Sequence, residues 1–227
     1  MRISLLTVGL ASIVLGLGAM FSSHALAGGY EEPTYEVVQS SADWELRQYA
    51  PVIEAQVTVE GPYDQAVRDG FRLLAGYIFG KNEPNETIAM TVPVAAQSAE
   101  GQKIAMTVPV ATAASAPAAV DEARSWTVAF TMPGEWDLDT LPAPMDARVR
   151  LVEVPEQRWA VLRFSGKASA QSSEQYRQEL LEAVITEGLE PSGAAVIAQY
   201  NPPWVPGFLR RNEVKIPVGS GDAATME

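Results

Sequence analysis

The order strand, strand, helix, strand, strand occurs twice along this sequence, and that duplication constrains the fold more than any single motif. In the first pass, "TYEVVQSSADWELRQYAPVIEAQVTVEG" alternates apolar and polar residues and breaks at Ser40-Ser41 and Ala50-Pro51, which predicts three strands. Pro62 then opens "PYDQAVRDGFRLLAGYIFG", where Ala66, Phe71, Leu74, Tyr77 and Ile78 recur at helical spacing until Gly80 ends the run. Lys81 and Asn82 are placed to finish this helix. A repeated strand follows, then "ATAASAPAAVDEA", which reads as a flexible Ala-rich loop, and the strand "SWTVAFTM". In the second pass, "ARVRLVEVPEQRWAVLRFSG" gives two strands across Pro155-Glu156, and "SAQSSEQYRQELLEAVITEG" gives a helix closed by Gly188. "AAVIAQYN" and "NEVKIPV" read as closing strands around the loop "PPWVPGFLRR". Two related halves are the simplest account.

One strand is written out twice. The letters "IAMTVPVA" begin at Ile88 and again at Ile104. Ile88, Met90, Val92 and Val94 share one face of an extended chain, and Ile104, Met106, Val108 and Val110 share the corresponding one. The faces coincide in an antiparallel hairpin only if the loop has an odd length. Ala99-Glu100-Gly101 meets that condition, with glycine where a type I turn plus bulge wants a positive φ. Met90 would then oppose Val110, and Val94 would oppose Met106. Pro93 and Pro109 lack a donor, so each belongs at an edge, a bulge or a strand end. The apolar face fills a core, and its methionines are also candidates for a soft wall against a flat apolar ligand.

Residues 1–27 carry the parts of a signal peptide: Arg2, an apolar run broken by Gly9, Gly16 and Gly18, and an Ala25-Leu26-Ala27 end. No basic stop-transfer cluster and no cysteine follow, so the mature chain is expected to be periplasmic or secreted, with no stable membrane anchor after cleavage. The remaining length of about 200 residues suits one large domain or two closely joined halves. We divide it into a leader at 28–34, a domain at 35–218 and a disordered tail at 219–227.

Cleavage would also remove the only histidine, His24, and the sequence contains no cysteine. Disulfides, zinc sites built on thiolate or imidazole, and Cys–His or Ser–His catalysis are therefore outside the mature chain's chemistry. The net charge is −12, and loss of Arg2 makes it one unit more negative. Such a field repels nucleic acid and anionic lipid, so neither is an expected partner.

Together, "YIFGKN", the doubled "IAMTVPV", "FTMP", "RVRLVEVPEQRWAVLRFSG" and "YNPPWVPGFLRRNEV" resemble the SOUL haem-binding protein family over about residues 35–218. The resemblance implies an α+β fold, a distorted antiparallel β-barrel of two pseudo-symmetric halves flanked by two main helices. It implies binding of haem or a related tetrapyrrole, with no reaction attached. The ligand is expected against the first helix and the loop before the last strand. Those are residues 68–77, with Arg68, Arg72, Leu73 and Tyr77, and residues 204–211, with Trp204, Phe208, Arg210 and Arg211. Histidine-ligated haem is out of reach here.

The residue types agree with that placement. Arg68 and Arg72 are four apart and neighbours on one side of a helix. Arg210 and Arg211 stand near Trp204 and Phe208, and cations beside aromatics suit a planar acid with propionates. Surface exposure, or pairing with the many carboxylates, is the competing role for each arginine. Tyr77 is spaced with Leu74 and so also fits the core. The competing function classes are a binding module for another amphipathic small molecule or a protein partner, and a carboxylate-dependent hydrolase. The Asp137 and Asp139 pair that a hydrolase would use lies in the turn-rich "GEWDLDTLP", where Asp commonly closes turns. Asn85-Glu86-Thr87 fits a glycosylation acceptor pattern.

Overall fold

The computed structural model describes residues 30–84, 101–115 and 125–219. Its main element is a nine-stranded antiparallel sheet, curled into a half-barrel, with both helices packed on one face. The predicted opening strands form β1 (Tyr35–Ser40), β2 (Trp44–Tyr49) and β3 (Val52–Glu60), followed by α1 (Tyr63–Ile78). A two-residue strand β4 (Asn82–Glu83) pairs with β7 (Ala143–Pro144), outside the main sheet. Between them run β5 (Val110–Ala114) and β6 (Ser125–Thr131). The second half supplies β8 (Arg150–Val154), β9 (Gln157–Phe164), α2 (Ala170–Thr186), β10 (Val196–Gln199) and β11 (Asn212–Pro217).

The sheet order is β1-β2-β9-β11-β10-β5-β6-β3-β8. Reading outward from the antiparallel β5–β10 pair, β6, β3 and β8 on one side match β11, β9 and β2 on the other. Each half therefore pairs its first strand with its partner half: β8 lies against β3, and β2 against β9. That exchange makes the two predicted halves one inseparable sheet.

Local chemistry repeats as well. Each helix ends in the same motif: Gly80 and Gly188 adopt positive φ, of 111° and 74°. The amides of Lys81 and Leu189 reach back to Gly76 and Val184, which satisfies carbonyls the helix end would strand. Ser169 caps α2 through a reciprocal pair of hydrogen bonds with Ser172. Asn82 completes the end of α1 as expected. Its buried side chain donates to the carbonyls of Tyr77 and Gln102 and accepts from the Gln102 amide, each at 2.7 Å.

Alternation along the strands sorts the core. Ala55, Val57, Val128 and Phe130 meet Leu74, Tyr77 and Ile78 of α1, whereas Ala160, Leu162, Val214 and Ile216 meet Leu180 and Val184 of α2. Gly70 lets α1 sit close to β6, because a Cβ there would lie 2.5 Å from Cγ2 of Val128. Ala66 and Tyr63, the latter edge-on to Trp126, seal the first turn of α1.

Two expectations change. Met90 and the first copy of the doubled strand lie outside the described residues. The second copy becomes strand only at Val110, with Pro109 immediately before it, as a residue without a donor requires. Over 104–109 the chain is held instead by single contacts: the Ile104 amide donates to Ile78, and that of Val108 to Glu31. Val108 consequently packs with Ala198 and Tyr200, away from the cluster that holds Ile104, Met106 and Val110. The Ala99-Glu100-Gly101 turn lies mostly outside the described residues; Gly101 itself packs so close to Gly80 that a Cβ would strike the Gly80 carbonyl. Residues 111–114, read as loop, are the central strand β5, paired on both sides by β10 and β6.

Candidate functional site

The inner face of α1 consists of Tyr63, Ala66, Gly70, Leu74, Tyr77 and Ile78, so its opposite face presents Arg68 and Arg72 to solvent, with Phe71 at the flank. Phe71, one of the apolar residues that recur at helical spacing, is 39% exposed and leans its ring edge on Phe130, 5.4 Å between centroids. The Arg72 guanidinium donates to Asp69 at 3.0 Å. Exposed pairs of this kind contribute about 0–1 kcal/mol, so Arg72 is readily recruited by a stronger anion. Arg68 forms no ion pair among the described residues.

The loop between β10 and β11 is stiffened by Pro202, Pro203 and Pro206 and closed by a short 3-10 turn at Gly207–Leu209. Arg210 braces it from within, donating to the carbonyls of Val205 and Pro203. The braced loop holds Trp204, Phe208 and Leu209 outward at 81%, 78% and 63% exposure. Three large apolar side chains together in water mark a surface that has a use. The loop is tied to the connection between β9 and α2: the Gly166 amide donates to Gly207 at 2.9 Å, and the Asn212 side chain donates to Gly166. Next along the chain, the Lys167 ammonium lies 3.7 Å from Asp64 in the first turn of α1. Arg68 stands one turn further along that helix.

Arg211 does not belong to this corner. Its guanidinium lies over the Tyr200 ring, 3.7 Å from the centroid, and donates to Glu32 and Glu213 at 3.0 Å each. Glu213 is wholly buried and accepts also from Arg47 at 3.2 Å and from the Tyr200 hydroxyl at 2.6 Å, with the Lys215 ammonium 3.8 Å away. Burial would push this carboxyl up, but Lys215, Arg47 and Arg211 with the Tyr200 hydroxyl hold it down to about 2. The Tyr200 hydroxyl is pushed upward by its own burial and then by the Glu213 charge. Glu213 follows Arg211 by two residues, a spacing visible in sequence; the contact with Arg47 is not.

Tyr77, proposed from sequence as a site residue, belongs to the core: it is 1% exposed, and its hydroxyl donates to the Pro142 carbonyl at 2.9 Å. Burial pushes that hydroxyl up to about 12. Leu73 and Met106 are partly buried against the α1 core. Asp137 closes a turn through its backbone, with its amide donating to the Thr140 hydroxyl and its carbonyl accepting from it. Among the described residues no three His, Cys, Asp or Glu side chains converge as a metal-binding group, and no helix is long and apolar enough to cross a membrane.

The fold is an α+β distorted barrel, with Trp204, Phe208 and Leu209 exposed on the loop between β10 and β11. The chain belongs to the SOUL heme-binding protein family, whose model it matches over residues 30–217. It is 28% identical to heme-binding protein 2 of Homo sapiens over 196 residues, 84% of this chain and 87% of that protein. It is also 28% identical to heme-binding protein 2 of Mus musculus over 146 residues, 64% of this chain and 63% of that protein. The fold is shared with the C-terminal domain of EcmrR, at TM-score 0.55 and 9% identity, covering 82% of this chain and 98% of that one. It is shared too with a hydrolase from Listeria innocua, at TM-score 0.52 and 12% identity, covering 80% and 94%.

Proposed function

We propose that this protein is an exported, non-enzymatic binder of haem or a related tetrapyrrole, taken up on the corner between α1 and residues 204–209. Membership of the family supports the ligand class, and the apolar part of the 1–27 segment supports export to the periplasm or beyond. The observation that carries the placement is the outward display of Trp204, Phe208 and Leu209 on a loop tied, through Gly166 and Lys167, to the helix bearing Arg68 and Arg72.

The residues present fit a porphyrin held by its face and its acids. A bound haem supplies a flat apolar ring, two propionates and an iron. Trp204, Phe208, Leu209 and Phe71 cover apolar ring surface, and removing that surface from water is the main driving force. Arg68 and Arg72 receive the propionates, Arg72 by exchanging its Asp69 partner. The four-arginine set read from the sequence reduces to these two, because Arg210 is spent on its own loop and Arg211 on Glu32 and Glu213. With no Cys, and the only His at position 24, the mature chain offers haem neither imidazole nor thiolate. Affinity on the order of micromolar follows, equivalent to about 8 kcal/mol. Absorbance titration of the mature protein with hemin tests this: a saturable, one-to-one spectral change in that range is expected, and its absence refutes the reading.

A further inference from the structure

We propose that the concave side of the sheet, the side turned away from both helices, holds a second and separate binding site, a pocket for a small organic cation with an apolar body in which Glu54 is the counter-ion. The proposal is independent of the tetrapyrrole reading, which uses the helix side.

Strand alternation creates the pocket. The residues that pack against the helices leave their neighbours, Glu54, Gln56, Thr127, Ala129, Trp159 and Lys215, facing the other way. They line a cavity of about 410 Å³, within the size range of small-molecule sites, about 300–1,000 Å³. The cavity exists because the central strands carry Ala111, Ala113 and Ala129 where larger side chains would fill it. Val152 and Trp159 give it apolar and aromatic walls.

Charge decides what it takes. Lys215 faces the pocket, but its ammonium donates to the Tyr49 hydroxyl at 3.0 Å and lies 3.8 Å from Glu213. The cluster behind it sets Arg47, Arg211 and Lys215 against Glu32, Glu45 and Glu213, three cations against three carboxylates. It brings no net charge to the pocket. Glu54 is different: its carboxylate accepts one hydrogen bond, from the neutral Gln56 amide at 2.8 Å, and enters no ion pair among the described residues. Burial pushes its carboxyl upward, against the weaker pull of Gln56 and Lys215. A half-buried carboxylate without a cationic partner is stabilised by a cation that brings its own apolar surface. Trp159 adds a ring face for the same charge, and the chain's net −12 draws cations toward it.

The test is calorimetric and ligand-detected NMR titration of the full mature chain with benzyltrimethylammonium, its uncharged isostere neopentylbenzene, and phenylacetate. The cation should bind saturably and at least about tenfold more tightly than the isostere, and phenylacetate should not bind. Glu54→Gln should weaken cation binding at least about tenfold, and the pocket-filling Ala111→Leu should abolish it. Hemin binding should be unchanged in both variants. Equal cation affinity in wild type and Glu54→Gln, retention of binding in Ala111→Leu, tighter binding of the anion, or no saturable binding of the cation to wild type would each overturn the proposal.

Discussion

Replacing Glu213 with Gln keeps the shape of the residue and removes one buried charge. In the native protein that charge is shared by Arg47, Arg211 and Lys215 and completed by the Tyr200 hydroxyl. Two estimates of the loss agree. Removing one partner of a buried ion cluster leaves cations uncompensated, which costs about 3–5 kcal/mol. Independently, a carboxyl held at about 2, against an unfolded value of 4.5, contributes about 3 kcal/mol of stability near neutrality. The sign follows from the lowered value: the contribution is present above pH 4.5 and is lost as pH falls toward 2. Urea unfolding of wild type and Glu213→Gln at pH 7 and pH 3 measures both effects. The variant should lose about 3 kcal/mol at pH 7, and the difference should shrink to roughly half or less at pH 3. A loss below about 1 kcal/mol at pH 7, or an equal loss at both pH values, would refute the reasoning and make the cluster a surface-like pair network.

Three further outcomes are expected. Asn82→Ala removes three hydrogen bonds that finish α1 and hold Gln102, so chemical denaturation should show a loss of about 1–3 kcal/mol. Gly70→Ala gains about 1 kcal/mol of helix propensity but drives a Cβ to within 2.5 Å of Val128; overpacking of about 1–3 kcal/mol should win, lowering the melting temperature. Changing Arg68 and Arg72 together to Ala should weaken hemin binding and flatten its dependence on salt, with stability unchanged because Arg72 holds only an exposed pair.

The elements legible in the sequence are those whose signals are local. Alternation ending at Ala50-Pro51 marked β2 and β3, and Gly80 and Gly188 marked both helix ends, because a positive φ at that point suits glycine. The order of elements anticipated the paired halves of the sheet. What escaped depends on partners distant in the chain. The alanines of β5 have no strand preference of their own; they are extended because β6 and β10 pair with them on both sides. The identical letters of the doubled strand suggested equal structures, but residues 104–109 follow contacts to Ile78 and Glu31 instead. Exposed Phe71 was hidden by its helical spacing. Arg211 looked available for a ligand, but Glu32, 179 residues away, holds it. The concave pocket was invisible for the same reason, since only the sheet register brings Glu54, Ala111 and Trp159 around one space.

The most direct test of the central claim is to map hemin on the protein itself. Titrating isotope-labelled mature protein with hemin and following backbone amide signals by NMR exploits the paramagnetic iron, which broadens nearby resonances. The account predicts early broadening at residues 68–72 of α1 and 204–209 of the β10–β11 loop, lost in a Trp204→Ala, Phe208→Ala double variant that remains folded. Broadening centred instead on Glu54, Ala111 and Thr127, with the α1 signals intact, would contradict it.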